Sequence, residues 1–374
     1  MNVRDFAMKV NACIVLILSA YSLAIAQSET FEAVESKKIP GILRTISEQT
    51  RANFEQIHTW QGELEFFQYS IDRGSAAKST FEIMTDAVGS CPNEIAEFTE
   101  NTIIFKCDLD KGLSYSKRSR EAPSRYIDPA TNKDLGTKST PSSSSQIATK
   151  EYRYSEEPVA MRKGVIVERK AVKDRVDADC PSCKGQQPDY LPRYVLDIDS
   201  QVWQRYPEYA NTIEKKGEYV VDGLALKVEE RTLSGDVQYR VHEPLRLNTF
   251  DIKNFWIINT FSANAGYNII SSEKIRAGDG KLMEKQTMEY QKANGVYVPI
   301  RNTEDRYDFS RDFTLRSHEE IVLKNVRIND VIAAETFTYK NLGLANGDKF
   351  IDKIEGREYK YQDANLVPLA EPNK

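Results

Sequence analysis

Between residues 218 and 326 the sequence reads as one β-strand after another, and this run constrains the fold more than any other feature. The segments "EYVVDGLALKVEER", "DVQYRVH", "FWIINTFSA", "GYNIISSEKIR", "KLMEKQTMEYQK", "VYVPIRNTEDRYDF" and "FTLRSHEEIVLKNV" are rich in β-branched and aromatic residues and are parted by short turn clusters. Asp279–Gly280 and Asn294–Gly295 tolerate positive φ at both central positions of a type I′ turn, which joins antiparallel neighbours. In "FTLRSHEEIVL" one face carries Phe313, Leu315, Ile321 and Leu323, and the other carries Arg316, His318 and Glu320. A meander wet on one side must bury its other face against a helix or curl around it.

One segment can fill that role. In "IPGILRTISEQTRANFEQIHTW" the residues Ile39, Leu43, Ile46, Phe54 and Ile57 recur at three- and four-residue steps, which predicts an amphipathic helix over about 40–58. Strand-like stretches follow: "WQGELEFFQYSI", "STFEIMTD", "TIIFKCDLD" and "GLSYSKR". Residues 119–150 lack apolar periodicity and are dense in serine, threonine and proline, so a long loop is expected there. A second irregular stretch covers about 173–192. In "YPEYANTIEKKG" Pro207 suits a first helical turn and Gly217 a stop, predicting a short helix.

The first 26 residues stand outside this pattern. Arg4 and Lys9 precede the apolar run "ACIVLILSAYSLAIA", and the small-residue pattern at Ala24 to Ala26 places signal-peptide cleavage between Ala26 and Gln27. The run is shorter than the roughly 20 residues that span a bilayer. An exported, most simply periplasmic, chain without a transmembrane anchor is expected. Removing the segment leaves 49 basic and 55 acidic residues, a net charge of −6, with signs interspersed. The clustered cationic face that nucleic acid requires is missing.

Export bears on the cysteines. Cys13 falls within the signal, and the mature chain keeps Cys91, Cys107, Cys180 and Cys183, an even number in an oxidising setting, so disulfides are expected. Pairing 91 with 107 and 180 with 183 closes the shortest loops, worth about 3 and about 2 kcal/mol by loop entropy. The other readings of "DADCPSCKGQQ", half of a zinc site or a redox pair, are weaker. Only His58, His242 and His318 are present to complete a metal set, and Asp177 and Asp179 raise a neighbouring thiol pKa.

No catalytic constellation is readable. His318–Glu319–Glu320 lacks the second histidine of a zinc-protease helix, "CDLDKG" runs out of oxygen ligands after Asp110, and no nucleophile elbow, phosphate loop or dinucleotide fingerprint occurs. Neither cofactor nor metal is expected, nor an enzyme.

The order of elements resembles a family. A signal peptide, one amphipathic helix, the entry Ile57-x-x-Trp60-Gln61-Gly62 and a long meander look like the LolA/LolB-type lipoprotein-localisation factors. The stretch "GYNIISSEKIRAGDGKLMEKQTMEYQKANGVYVPIRNTEDRY" and the tail "FTYKNLGLANGDKFIDKIEGREYKYQDANLVP" are similar to long planctomycete-type members. The resemblance implies an α+β fold in which a curved antiparallel sheet, an incomplete β-barrel, wraps the N-terminal amphipathic helix. It implies a hydrophobic concavity that binds a lipid or lipidated cargo without catalysis.

The expected organisation is a signal at 1–26, a half-barrel domain at 27–332 with insertions at about 119–150 and 173–192, and a C-terminal module at 333–374. Candidate lining residues are Leu43, Ile46, Phe54 and Ile57 from the helix, with Leu64 and Phe66 opposite. The alternative is an exported interaction protein whose long loops bind another envelope protein or the cell wall.

Overall fold

The computed structural model describes residues 30–71, 95–127, 134–162, 165–175, 202–245, 255–308 and 314–369. Ala26, Gln27, Phe313, Cys91, Cys180, Cys183 and the strand expected at 79–86 lie outside the described residues. In chain order the elements are β1 (Glu32–Ala33), helix α1 (Ile39–Glu55), β2 (Thr59–Ile71), β3 (Ile95–Asp108), β4 (Leu113–Ile127), β5 (Asp134–Ala148), β6 (Tyr152–Arg162), β7 (Val165–Arg175) and helix α2 (Val202–Lys216). There follow β8 (Val220–Val221), β9 (Leu224–Ala225), β10 (Lys227–Leu233), β11 (Asp236–Leu245), β12 (Phe255–Ser262), β13 (Asn268–Arg276), β14 (Leu282–Ala293), β15 (Val296–Asp308), β16 (Thr314–Ile328), β17 (Lys349–Asp352), β18 (Arg357–Gln362) and β19 (Asn365–Pro368). The class is α+β, mostly antiparallel sheet with an N-terminal helix.

The chain divides into two compact units, one of residues 1–52 and 200–287, the other of 53–199 and 288–374, so that the boundaries fall inside α1 and β14. In the first unit β1, β10, β11, β12, β13 and β14 pair antiparallel in that order. Helix α2 buries Val202, Tyr206, Tyr209, Ala210 and Ile213, a stripe at helical spacing. Its Tyr206 ring meets Phe261 of β12 edge-on at 5.6 Å. Helix α1 buries Leu43 and Ile46 and is tied to α2 by Arg44, which forks onto both Glu214 oxygens and Asn211.

Two sequence expectations change in this unit. Helix α2 starts at Val202, so Pro207 lies beyond the first turn, where it has no N–H for the Trp203 carbonyl four residues back. Ser47 of α1 donates its hydroxyl to that carbonyl at 3.1 Å. Asp279–Gly280 is not a type I′ pair. Of the two only Gly280 has positive φ, because the connection from Arg276 to Lys281 holds four residues and is braced by the Asp279 carboxylate on Arg276. Gly217 stops α2 as expected, with φ 84° and its N–H on the Ile213 carbonyl.

In the second unit β14 and β15 form a hairpin whose Asn294 and Gly295 both have positive φ, as type I′ geometry demands. The ladder continues β15, β16, β2, β3, β4, β5, β6, β7 antiparallel, after which β17 joins β7 in parallel and β18 and β19 complete it. The expected helix to residue 58 ends instead at Glu55. Ile57 follows it in a turn with its N–H on the Phe54 carbonyl. Asn53, near that end, exchanges two 2.8 Å bonds with Tyr297, Nδ2 to the carbonyl and Oδ1 from the N–H, imitating a strand pair.

The serine- and proline-rich stretch expected as a loop over 119–150 forms strand instead. Residues 113–127 and 134–148 pair along nearly their whole length, Ser119 opposite Ser143 and Ser116 opposite Gln146. Small hydroxyl side chains give no apolar period, whereas the backbone ladder needs none. The irregular stretch expected over 173–192 opens as strand too, because β7 runs to Arg175, and residues 176–192 lie outside the described ones. Residues 333–369 belong to this unit: Phe350 is buried with Ile147, Tyr154, Ala171, Phe337 and Leu342.

Candidate functional site

The second unit's sheet presents two faces. Paired residues of antiparallel strands point the same way, so the register places Trp60, Leu64 and Phe66 of β2 beside Cys107, Ile103 and Asn101 of β3, and beside Ile328, Leu323 and Ile321 of β16. Trp60, Leu64, Ile103, Phe105, Cys107, Ile321 and Leu323 are buried in one cluster with Ile57, and Phe54 and Phe66 pack on it only partly buried. Phe105 crosses edge-on to Trp60 at 6.2 Å over Gly62. A Cβ on Gly62 would lie 3.1 Å from the Lys324 carbonyl and 3.2 Å from the Phe105 ring. That close approach explains the glycine after Trp60-Gln61.

Of the six candidate lining residues, Phe54, Ile57, Leu64 and Phe66 therefore come together on one apolar face, while Leu43 and Ile46 are buried in the first unit. Of the four cysteines only Cys107 is described, buried on this face.

The same face turns polar toward β4. Ser114, Ser116 and Arg118 occupy the inward phase, opposite Cys107, Phe105 and Ile103. Ser114 and Ser116 are buried, and Arg118 donates Nε to Asn101 Oδ1 at 3.0 Å. Asn101, 2% exposed, keeps an Nδ2 with no hydrogen-bond partner among the described residues. On the far side Asn302, opposite Ile321, keeps such an Oδ1. Sequence reasoning missed these residues. The signal was Asn101 in phase with Ile103, Phe105 and Cys107, and Arg118 in phase with two serines, which acquires meaning only once the strands are paired.

The first unit holds a second polar centre. Glu243, 2% exposed on β11, accepts from Tyr206 Oη at 2.7 Å and from Asn259 Nδ2 at 2.8 Å, with Arg205 Nη1 at 3.6 Å from its other oxygen. Burial, and then the Glu243 charge, push the Tyr206 and Tyr209 hydroxyls well above the ordinary tyrosine range. Tyr206 is thus held protonated as a donor. The arrangement pins α2 to β11 and β12, as a buried carboxylate must be hydrogen-bonded to be tolerated.

Each histidine faces a carboxylate: His58 Nδ1 lies 3.1 Å from Asp110, His242 Nε2 3.1 Å from Glu229, and His318 Nδ1 2.7 Å from Asp305. Asp108 caps the "CDLDKG" turn by accepting from the Lys111 N–H at 3.0 Å, and Gly112 supplies its positive φ. Among the described residues no helix is long and apolar enough to cross a membrane.

No family model and no curated protein matches the chain. Among solved structures it is similar to a DUF1329 family protein from Desulfovibrio piger, at 12% identity and a TM-score of 0.34, over 81% of this chain and 98% of that one. At that score nothing about activity follows.

Proposed function

We propose that the protein is a non-catalytic component of the cell envelope, exported to the periplasm, that binds a lipid or lipidated cargo. The ligand lies on the apolar face of the second unit, and the sheet there bends over the Phe54–Ile57 end of the helix as an incomplete barrel. The observation that supports this reading is the grouping of Ile57, Leu64 and Ile103 with Phe54 and Phe66, whose rings are only partly covered by the chain itself. An acyl chain laid there gains about 0.8 kcal/mol for each CH₂ withdrawn from water. Such a carrier needs no general base and no metal.

Native mass spectrometry of the protein purified from envelope, followed by solvent extraction, tests the reading. Acyl species should co-purify, and Phe66→Asp should reduce their yield several-fold. Repeated recovery of lipid-free protein would overturn it.

A further inference from the structure

Asn294 and Gly295 form the two-residue turn between β14 and β15, with φ of 49° and 86°, and both are exposed. An asparagine before a glycine is open to attack by the next backbone nitrogen, since glycine carries no Cβ to crowd the approach. We propose that Asn294 is a modification site guarded by its own turn: it stays an asparagine while the hairpin is closed and becomes aspartate or isoaspartate once the hairpin opens. In that reaction the Gly295 nitrogen gives its proton to solvent and bonds to Asn294 Cγ, and the Cγ–Nδ2 bond breaks as Nδ2 takes a proton from water and leaves as ammonia. The five-membered succinimide then adds one water. Breaking the new N–Cγ bond gives aspartate, and breaking the original peptide N–C bond gives isoaspartate. Nothing is oxidised or reduced.

The closed turn forbids ring closure. The ring needs the Gly295 nitrogen nearly eclipsed with Asn294 Cβ about the Cα–C bond, whereas the first central residue of a type I′ turn has ψ of about +30°, which sets the two about 150° apart. The amide is tethered as well, Nδ2 donating to the Ile328 carbonyl at 2.6 Å. Beyond the turn Val296 and Val298 are buried with Leu64, Ile321 and Leu323, and Tyr297 exchanges two bonds with Asn53. Conversion therefore waits on local opening of a hairpin anchored in the core. The product does not restore the turn, because isoaspartate adds a main-chain atom to a two-residue loop and either acid sets a carboxylate against the Ile328 carbonyl. The chain's other Asn–Gly pair, Asn346–Gly347, is guarded differently, its attacking N–H bonded to the Tyr361 carbonyl at 2.8 Å.

Peptide mapping by mass spectrometry, with enzymatic methylation to report isoaspartate, follows Asn294 in the full mature chain held in mildly alkaline buffer with and without denaturing urea. Conversion should be at least tenfold slower in buffer, and Val298→Ala, which loosens the anchor, should speed it several-fold there. Equal rates with and without urea would show that the turn is no guard, and an asparagine that survives in urea would remove the site. A Val298→Ala rate equal to that of the wild type would break the link to hairpin opening. Should Val298→Ala not fold, the wild-type rate at urea concentrations below the unfolding transition decides: it should climb with urea, and a flat rate would overturn the proposal.

Discussion

Ser47 of helix α1 donates its hydroxyl to the Trp203 carbonyl of helix α2, the acceptor that Pro207 cannot serve for lack of an N–H. One helix thereby completes the backbone bonding of the other. Ser47→Ala should lower stability by about 1 kcal/mol, and adding Pro207→Ala should recover most of it, because the restored N–H reaches the same carbonyl. Urea unfolding followed by circular dichroism measures both. A neutral Ser47→Ala would show that the contact contributes nothing.

The Glu243 centre makes a prediction at alkaline pH. The folded pKa of Tyr206 is raised, first by burial and then by Glu243, so its contribution to stability is present below the unfolded tyrosine pKa and is lost as pH rises through the folded one. Tyr206→Phe should cost about 2 kcal/mol near neutral pH by removing a donor from a buried carboxylate. Between pH 7 and 10 that cost should stay constant. A loss of stability that begins well below pH 10 in the wild type alone would contradict the assignment.

Gly62 and Phe105 should behave as a coupled pair. Gly62→Ala brings a methyl against the Lys324 carbonyl, which is backbone, and the Phe105 ring, which can be trimmed. The single change should cost about 1–3 kcal/mol, as overpacking does, and Phe105→Leu in the Gly62→Ala background should cost less than Phe105→Leu alone. Additive penalties in a double-mutant cycle would rule out the contact.

Two reciprocal ion pairs lock β17 to β7. Lys173 reaches Asp352 and Lys353 reaches Asp174, each at 2.8 Å, across the parallel pairing of these two strands. Burial pushes the Asp352 carboxyl up, but the Lys173 bond and two backbone N–H groups outweigh it, and Asp174 is lowered by its bond to Lys353. Depressed folded pKa values stabilise above the unfolded carboxylate pKa, about 3.9, and that stability is lost as pH falls through the folded values. Lys173→Met should therefore cost about 2 kcal/mol at pH 7, and the deficit should shrink toward pH 2. Thermal unfolding at both pH values checks this, and a deficit independent of pH would contradict it.

Much of the architecture was legible in the chain because local patterns report local structure. The three- and four-residue apolar steps marked α1, Gly217 marked the end of α2, and Asn294–Gly295 marked a two-residue hairpin. Where the signal was missing, pairing supplied what periodicity did not: serines 142–145 carry no apolar rhythm, yet the backbone of β4 holds them in strand. Pro207 misled for a similar reason, since its helix begins five residues earlier with Ser47 covering the gap.

By itself the sequence determined that antiparallel strands predominate, that one amphipathic helix precedes them and that Phe54, Ile57, Leu64 and Phe66 are apolar at inward phases. Only the tertiary structure decided that Asn101 and Arg118 share that face, and that Leu43 and Ile46 are buried in a different unit. Alternation gives each strand two faces without saying which neighbour it meets, and the β2–β16 pairing joins residues some 260 positions apart. Register across so long a separation is chosen by the packing of whole side chains, and no local pattern records it.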